Sequence, residues 1–411
     1  MVTRLTKDSQ KKLLEEREGQ SLIQLRVLVF SAAFGNGHLR AAEAVIEGIL
    51  IKHPSAKIIH LDFGDFLNQR INTIIKNVYS EIIKYIPKLW GTLYYKTAKV
   101  QPRSKSQHFL NQLGRSEFLK YIQVFKPDFI VCTYATVSSI LAQLRFEQLL
   151  QVPVITVITD YTVHSHWIHQ GVDGYIVACT ELKESLVSWG IEAQRIHVTG
   201  IPVSPKFEEE IDQGDIITKL GLRSDLPTFL VMGGSYGILK SAKRICKKLA
   251  DSLIPVQAIV VCGKNKKLYL SLEEVIVQGR NLMIRFEFID NVEELMSVSD
   301  LIITKAGGLT VSEALTKHLP LVIYKPIPGQ EEENAHYVRH IGAGCIAGNE
   351  KELEQLLNRF LRHPEEIAKM RSKAAVALPG HSTERAVEEM LQLASNLKRP
   401  QDNMYKLVDS R

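Results

Sequence analysis

The sequence predicts an α/β protein with two domains, each built around a parallel sheet. Short apolar runs of strand length alternate with segments of helical composition from residue 26 onward. Strands that alternate with helices favour parallel sheets with right-handed crossovers. Glycine clusters follow several of the apolar runs, at the strand ends where such folds bind ligands. With 411 residues, the chain is long enough to form two cores.

Composition and charge limit the class of protein. Hydrophobic residues make up 45% of the chain and charged residues 23%, as in soluble globular proteins. The net charge of +6 does not indicate a nucleic-acid partner, but it suits an anionic membrane surface or a phosphate ligand. The five cysteines form no CxxC pair, which favours reduced thiols in a cytoplasmic protein. The sequence predicts neither a signal peptide nor a membrane span, so we expect contact with a membrane from one side only.

The order of the predicted elements places the motifs at strand ends. The predicted strands are Arg26–Ser31, Ile58–Leu61, Asp128–Thr133, Pro153–Thr159, Gly174–Cys179, Ile196–Thr199, Thr228–Met232, Gln257–Cys262, Leu282–Phe288, Leu301–Thr304 and Pro320–Tyr324. The predicted helices are Leu39–Ile51, Val137–Leu150, Glu181–Trp189, Ile238–Asp251, Leu309–Lys317, Lys351–Leu361, Pro364–Ala377 and Thr383–Leu397.

The chain divides into four predicted segments. Residues 1–24 are polar and predict a lead-in or a short helix. Residues 25–200 and 201–382 are the two predicted domains, with a boundary at the proline-marked connection Gly200–Pro205. Residues 383–411 contain a last helix and a tail.

The segment from Asp65 to Lys105 combines aromatic residues with cations. No acidic residue occurs between Glu81 and Glu117. This composition is typical of a lipid headgroup region, but a core-facing amphipathic helix with a solvated basic face would show it too. The candidate membrane residues are Trp90, Tyr94, Tyr95, Lys96, Lys99, Arg103 and Lys105.

The first strand ends in a turn that carries His38. The turn contains Gly35, Asn36 and Gly37, and it resembles a dinucleotide fingerprint that is broken because Arg40 replaces the third glycine. The N-terminus of a helix favours neutral imidazole, which can accept a proton from a hydroxyl. His38 is therefore a candidate general base, the alternative being a histidine that only caps the helix.

Asp160 is the second candidate catalytic residue because it follows a buried strand. It could orient a histidine, act as the base itself, or simply begin a turn. His164, His166 and His169 come next, with Trp167 among them. Their spacing matches no metal-ligand motif, so acceptor binding or packing is the preferred interpretation, with His164 and Trp167 assigned to the acceptor.

Residues 300–334 predict a phosphate and sugar site, the alternative being an ordinary strand-turn-helix with a polar loop. Strand Leu301–Thr304 leads to Lys305, Gly307 and Gly308 at the start of a helix, where backbone N–H groups favour a phosphate. Glu313 lies about one turn inside that helix, within reach of a ribose hydroxyl. A predicted polar loop after the next strand offers Gln330, Glu331, Glu332 and Asn334 to a sugar. Two further loops at neighbouring strand ends contribute Gly234, Ser235, Gly263, Lys264 and Asn265.

These motifs together resemble the processive diacylglycerol glucosyltransferases and the plant monogalactosyldiacylglycerol synthases of glycosyltransferase family 28. The resemblance runs from about Arg26 to Gly348. It rests on SAAFGNGHLRAAEAV, VITDYTVHSHWIHQGVDGYIVA, VTGIPVSPKF, VVCGKN, FIDNVEELMSVSDLIITKAGGLTVSEAL and YKPIPGQEEENAHYV. The loop Met232–Gly237 departs from the form typical of the bacterial enzymes, which leaves the lipid acceptor open.

The resemblance implies a GT-B fold, with two Rossmann-like domains whose parallel sheets face a central cleft and a C-terminal helix that crosses back to the first domain. It implies an inverting hexosyltransferase, peripheral on the inner face of the cell membrane, with no required cofactor or metal. The donor would be UDP-glucose or UDP-galactose, and the acceptor diacylglycerol or a related glycolipid. By position, Gly37 and His38 would face the reacting centre, and Gly35, Asn36 and Gly37 would bind the acceptor. The diphosphate would meet Gly307, Gly308, Leu309 and Thr310, the ribose Glu313, the sugar hydroxyls Gln330 and Glu331, and the uracil Phe288 and Ile289.

Two other functions are open to the residues themselves. Gly35, Gly37 and Asp62 would suit an NAD-dependent oxidoreductase, although Arg40 argues against it. A non-catalytic nucleotide-sugar-binding module is the second alternative, and the presence of His38 beside the full set of loops at residues 305–334 argues against that.

Overall fold

The computed structural model describes residues 2–4, 24–32, 36–66, 81, 86–98, 115–234 and 241–397. Several candidates lie outside these residues, namely Gly35, Lys99, Arg103, Lys105 and Ser235. The chain divides into two compact units, and the last helix belongs to the first of them. Unit 1 comprises residues 1–205 and 381–411, and unit 2 comprises residues 206–380.

Unit 1 contains a parallel sheet in the order β1-β3-β2-β4-β5-β6-β7. Its strands are β1 (Val2–Arg4), β2 (Arg26–Ser31), β3 (Lys57–Asp62), β4 (Phe129–Cys132), β5 (Val154–Val157), β6 (Gly174–Val177) and β7 (Ile196–Val198). Its described helices are α1 (Gly37–Lys52), α2 (Pro87–Ala98), α3 (Arg115–Phe125), α4 (Ala135–Phe146), α5 (Thr180–Ser188) and, near the C-terminus, α15 (Ser382–Leu397).

Unit 2 contains a second parallel sheet in the order β10-β9-β8-β11-β12-β13. Its strands are β8 (Thr228–Met232), β9 (Gln257–Val261), β10 (Met283–Phe286), β11 (Leu301–Thr304), β12 (Leu321–Tyr324) and β13 (Gly344–Ala347). Its described helices are α6 (Gln213–Leu220), α7 (Ala242–Ala250), α8 (Lys266–Ser271), α9 (Glu273–Gln278), α10 (Val292–Ser297), α11 (Gly308–Thr316), α12 (Gln330–His340), α13 (Glu350–Arg362) and α14 (Pro364–Ala375).

The predicted class of α/β fold with parallel sheets is confirmed. Every pairing between described strands is parallel. Strands β8 and β11 have the predicted limits, because strands buried on both faces are continuous apolar runs, bounded here by Pro227 and Gly233 and by Asp300 and Lys305.

Several segments differ from the sequence expectations. Helices α3, α6, α8, α9 and α10 were not predicted, and three further differences concern β1, α12 and β13. Val2–Arg4 is an edge strand beside β3, although residues 1–24 were expected to be a lead-in or a helix. The polar segment after β12 is a short loop that leads into helix α12, so the polar residues from Gln330 onward lie on a helix. Strand β13 was not predicted, since it spans four residues and begins with Gly344.

The core of unit 1 occupies both faces of its sheet. Alternation along β2 places Leu28 and Phe30 against α3 and α4, whereas Val27 and Val29 face α1 and α15. Helix α15 packs closely on α1 at Gly48, where an added Cβ would lie 2.6 Å from the Thr383 methyl carbon. The last helix thus packs against the middle and C-terminal part of α1.

Among the described helices, none is long and apolar enough to cross a membrane.

Candidate active site

The strand orders define one switch point in each sheet. In unit 1 the chain runs outward from β2 to β3 and then crosses to β4 on the other side of β2. In unit 2 it runs outward from β8 to β10 and then crosses to β11 beside β8. Crevices beyond the carboxyl ends of strands at such points are where doubly wound sheets bind ligands. The two glycine turns singled out by the sequence both border these points.

His38 is the second residue of α1, close to the carboxyl ends of β2 and β4. Its Nδ1 lies 2.8 Å from the Thr159 hydroxyl oxygen. Its backbone carbonyl accepts a 2.8 Å hydrogen bond from the Thr133 hydroxyl. The rings of Tyr134 and Trp167 lie beside it, with centroids 5.3 and 6.2 Å from the imidazole centroid. Backbone and ring are therefore both held in place.

Desolvation keeps His38 neutral. Burial among protein atoms lowers its pKa to about 4, and a hydrogen bond with the Thr133 backbone offsets part of the effect. The sequence argument attributed neutrality to the helix N-terminus, but burial is the main cause. The residue as a whole is partly exposed.

Asp160 is buried at the carboxyl edge of unit 1, two residues after Ile158 continues the ladder of β5. The hydrogen-bond partner of the His38 Nδ1 is its neighbour, Thr159. No local pattern indicates this contact, because 121 positions separate the two residues. Asp160 was one candidate for the group that orients His38, and a hydroxyl takes that place at Nδ1.

His164 links the loop after Asp160 to helix α2. Its Nδ1 accepts a hydrogen bond from the His166 backbone N–H at 3.2 Å, so in the neutral ring Nε2 carries the proton. Nε2 lies 3.2 Å from both the Tyr94 carbonyl and the Thr97 hydroxyl. Burial lowers the pKa of His164 to about 4. These contacts give His164 a structural task in the same loop that carries Trp167.

The remaining histidines of this loop are engaged within it. His169 Nε2 lies 2.8 Å from the His166 carbonyl oxygen, and burial lowers the pKa of both rings. Among the described residues, no group of three or more His, Cys, Asp or Glu side chains is arranged to hold a metal ion.

Helix α2 presents an apolar face outward. Leu89 and Leu93 are 52% and 50% exposed, one turn apart on the same face, and Tyr95 and Lys96 are exposed beside them. Tyr94 is 9% exposed and packs on the His164 ring at 4.8 Å, so its predicted place at a membrane does not fit its burial. Trp90 is partly exposed. In the described part of the segment Leu89 and Leu93 are thus exposed, whereas Tyr94 packs inward.

The start of α11 offers backbone amides to a ligand. Its first intrahelical bond runs from the Val311 N–H to the Gly307 carbonyl, and no side chain caps the helix. The N–H groups of Gly308, Leu309 and Thr310 therefore precede the helical ladder. A Cβ on Gly307 would meet none of the described residues within 4 Å.

The loop after β8 approaches the same turn. Gly234 has a φ of +70°, which favours glycine, and a Cβ built on it would lie 3.9 Å from Lys305 Cε. Lys305 Nζ donates to Glu331 Oε1 at 2.9 Å. Lys305 and Glu331 are thus in contact at the switch point of unit 2, with Gly234 close to Lys305.

Helix α12 is fastened to the turn before α11. Glu331 Oε2 accepts from the Ile327 N–H at 3.2 Å, and the buried Asn334 donates to the Ala306 carbonyl at 3.0 Å. Gln330 begins the helix and is partly exposed. Glu331 was predicted to bind a sugar, and its carboxylate also holds Lys305 and the loop before the helix.

The loops after β9 and β10 also meet. Gly263 has a φ of +57°, and Lys264 Nζ lies 5.9 Å from the centroid of the Phe288 ring. Phe288 is 38% exposed, and Ile289 next to it is partly exposed. The Asn265 side chain accepts from the Leu268 N–H at 3.0 Å and so caps α8. Glu313 is partly buried in the second turn of α11.

A separate cavity of about 460 Å³ lies at the opposite end of α11. Its lining includes Glu209, Lys317 and Arg371. It contains none of the residues predicted to bind the donor, which gather where α11 begins.

The comparisons with known proteins cover both units. Residues 38–203 match the family model of monogalactosyldiacylglycerol (MGDG) synthase, and residues 228–390 match that of the glycosyltransferase family 28 C-terminal domain. A processive diacylglycerol beta-glucosyltransferase from Bacillus pumilus is 30% identical over 376 residues, which is 89% of this chain and 94% of that protein. The chain belongs to this family of glycosyltransferases. A protein of the same name from Bacillus mycoides is 32% identical, over 84% of this chain and 88% of its own.

Solved structures show the same fold at low identity. MurG from Acinetobacter baumannii has a TM-score of 0.60 and 16% identity, over 90% of this chain and 99% of its own. A UDP-glucosyltransferase from Polygonum tinctorium has a TM-score of 0.57 and 14% identity, over 92% of this chain and 100% of its own. The expected GT-B class, with a Rossmann-like sheet in each unit, is confirmed.

Proposed function

We propose that this glycosyltransferase moves a hexose from a UDP-sugar to diacylglycerol or a related glycolipid, with inversion at the anomeric carbon. The observation that carries the proposal is that one chain of this family has both a candidate donor site and a candidate base. Unit 2 has open backbone amides at the start of α11. Unit 1 has a neutral, held imidazole at His38. We assign the donor to unit 2 and the acceptor hydroxyl to unit 1.

The donor site follows from the chemistry of a diphosphate. Unpartnered N–H groups at a helix N-terminus favour negative charge, and the described residues leave space over Gly307 for a phosphate to approach the backbone closely. Lys305 adds a cation beside this turn, held by Glu331. The same groups stabilise the charge that develops on UDP as it leaves. We therefore expect turnover without an added metal ion.

The acceptor step assigns the proton to His38. The acceptor hydroxyl oxygen attacks the anomeric carbon, and the bond from that carbon to the UDP oxygen breaks. The hydroxyl proton passes to the imidazole, which becomes imidazolium and later returns the proton to solvent. Attack from the face opposite the leaving group gives the inverted product. Asp160 is the alternative base, since it lies next to Thr159 on the same edge.

The donor sugar is proposed to be glucose. The curated relatives at about this level of identity are named as β-glucosyltransferases, whereas the model that matches residues 38–203 is named for a galactolipid synthase. UDP-galactose is accordingly the competing donor.

We further propose that α2 meets an anionic membrane. Leu89 and Leu93 would enter the headgroup region while Lys96 pairs with lipid phosphates. The protein would then be peripheral, on the inner face of the cell membrane.

The test is sugar transfer with the full chain. Protein is incubated with radiolabelled UDP-glucose or UDP-galactose and vesicles that contain diacylglycerol and anionic lipid, and the label in the lipid extract is counted. We expect label from UDP-glucose, in the β configuration by NMR, that persists in EDTA. Tight binding of NAD with no binding of UDP would reverse the proposal in favour of an oxidoreductase. Binding of UDP-sugar with no transfer to any glycerolipid would favour a binding module.

A further inference from the structure

Thr159 is a buried hydroxyl that faces the candidate base. Thr159 is 4% exposed, and its Oγ1 lies 2.8 Å from His38 Nδ1. It comes two residues after β5, where the Ile158 N–H still bonds to the Ile176 carbonyl. A sheet hydrogen bond of the preceding residue therefore holds the backbone at Thr159.

The direction of this hydrogen bond determines which ring nitrogen can act as the base, and the 2.8 Å distance fits either direction. A neutral imidazole has one nitrogen that donates and one that accepts a hydrogen bond. If Nδ1–H donates to Thr159 Oγ1, the lone pair of Nε2 remains for the acceptor hydroxyl. If instead Thr159 donated to Nδ1, the proton would sit on Nε2 and the ring could not act as a base there. The rings of Tyr134 and Trp167 limit rotation of the imidazole, so a flip does not readily exchange the two nitrogens.

A hydroxyl at this position differs from a carboxylate in its charge. A carboxylate would attract the proton and favour imidazolium before substrate binds. A hydroxyl accepts from Nδ1–H without adding charge, so the ring can be oriented and still remain neutral.

We propose that Thr159 is a positioning residue that accepts a hydrogen bond from His38 Nδ1–H and so presents Nε2 as the base. The inference rests on the proposed role of His38 in glycosyl transfer. As the acceptor hydroxyl gives its proton to Nε2, Nδ1–H keeps its bond to Thr159, and no proton passes to the threonine. Thr159 therefore acts only through His38.

The experiment compares Thr159→Val with Thr159→Ser in the full chain. We expect Thr159→Val to lower kcat by about 10- to 100-fold, less than loss of a general base, with KM for the UDP-sugar little changed. Thr159→Ser should recover most of the kcat because it restores the hydroxyl. Thr156→Val is the matched control, since Thr156 is fully buried in β5 and bonds to the Ser138 hydroxyl at 2.6 Å.

A second readout is independent of turnover. Selective ¹⁵N labelling of the histidines and long-range NMR report which nitrogen of each ring carries the proton, and His38→Ala assigns the His38 signals. We expect the Nδ1–H tautomer in the wild type and in Thr159→Ser, and the Nε2–H form or a mixture in Thr159→Val. An Nε2–H tautomer in the wild type would overturn the proposal, as would a Thr159→Val protein with unchanged kcat.

The two readouts separate this inference from the function on which it rests. If the wild type transfers no sugar but its His38 tautomer still depends on Thr159, the proposed function has failed and the positioning contact stands. If Thr159→Val does not fold, Thr159→Ala with the same NMR measurement decides the question.

Discussion

Two strand-to-helix turns border the switch points of this protein, and they offer different groups to a ligand. An added Cβ would meet none of the described residues within 4 Å at Gly37 or at Gly307. After Gly37 comes His38, whose ring is held by Thr159. After Gly307 come Gly308 and Leu309, which offer backbone amides. The two turns also differ in backbone, since Gly37 is the first residue of α1 whereas Gly307 is the extended N-cap of α11. We propose that they serve two different tasks.

The largest expected effect is at His38. Replacement by Ala should lower kcat by about 10²–10⁴-fold, the usual contribution of a general base, while UDP affinity measured by calorimetry changes little because the amides of α11 belong to the other unit. The exposed His53→Ala at the end of α1 is the control and should retain activity. Near-normal turnover in His38→Ala, together with an inactive but folded Asp160→Asn, would transfer the role of base to Asp160.

The pH dependence of turnover offers a second test of the same turn. Burial places the pKa of His38 at about 4, below the ordinary 6.5, so the neutral base persists as pH falls from 8 to 6. The acid limb of the kcat/KM profile should accordingly lie well below pH 6.5. A limb at 6.5 that disappears in His38→Ala would mean that the ring is solvated like a free histidine.

Features that depend on neighbouring residues were predicted from the sequence, whereas contacts between residues far apart in the chain were not. Strands β8 and β11 were predicted to the residue because burial on both faces leaves a local pattern. Helix α12 was missed because its first turn is acidic and follows two prolines and a glycine, which is the composition of a loop. The ion pair of Lys305 with Glu331 and the contact of His38 with Thr159 join distant positions, and no spacing rule encodes them.

In unit 2, Glu313 provides the next largest expected effect. A charge-assisted hydrogen bond from the ribose to this partly buried carboxylate would contribute roughly 1.5–3 kcal/mol, so Glu313→Ala should weaken UDP binding by about 10- to 150-fold. Calorimetry with UDP measures this directly. Glu274→Ala, an exposed carboxylate on α9, should bind UDP normally. Unchanged affinity in a folded Glu313→Ala protein would remove the residue from the donor site.

Gly307→Ala tests the open amides. Since none of the described residues lies where the methyl group would go, the free energy of unfolding should change little, whereas a phosphate could no longer approach as closely. We expect UDP affinity to fall about tenfold, a free-energy change of about 1.4 kcal/mol. Gly37→Ala is the matched change in unit 1 and should leave UDP affinity unchanged. Equal losses of UDP affinity in both variants would contradict the division of tasks between the turns.

The smallest expected effect concerns Lys96 on α2. A cation near an anionic surface contributes about 1 kcal/mol, so Lys96→Gln should weaken cosedimentation with anionic vesicles about fivefold at low salt. The difference should shrink as salt is added, because screening shortens the range of the attraction. Lys120→Gln, an exposed lysine on α3, is the control. UDP affinity should be the same in both variants, since α2 and the start of α11 belong to different units. If vesicle binding changes neither with salt nor in Lys96→Gln, electrostatic attraction does not bring the exposed face of Leu89 and Leu93 to the membrane.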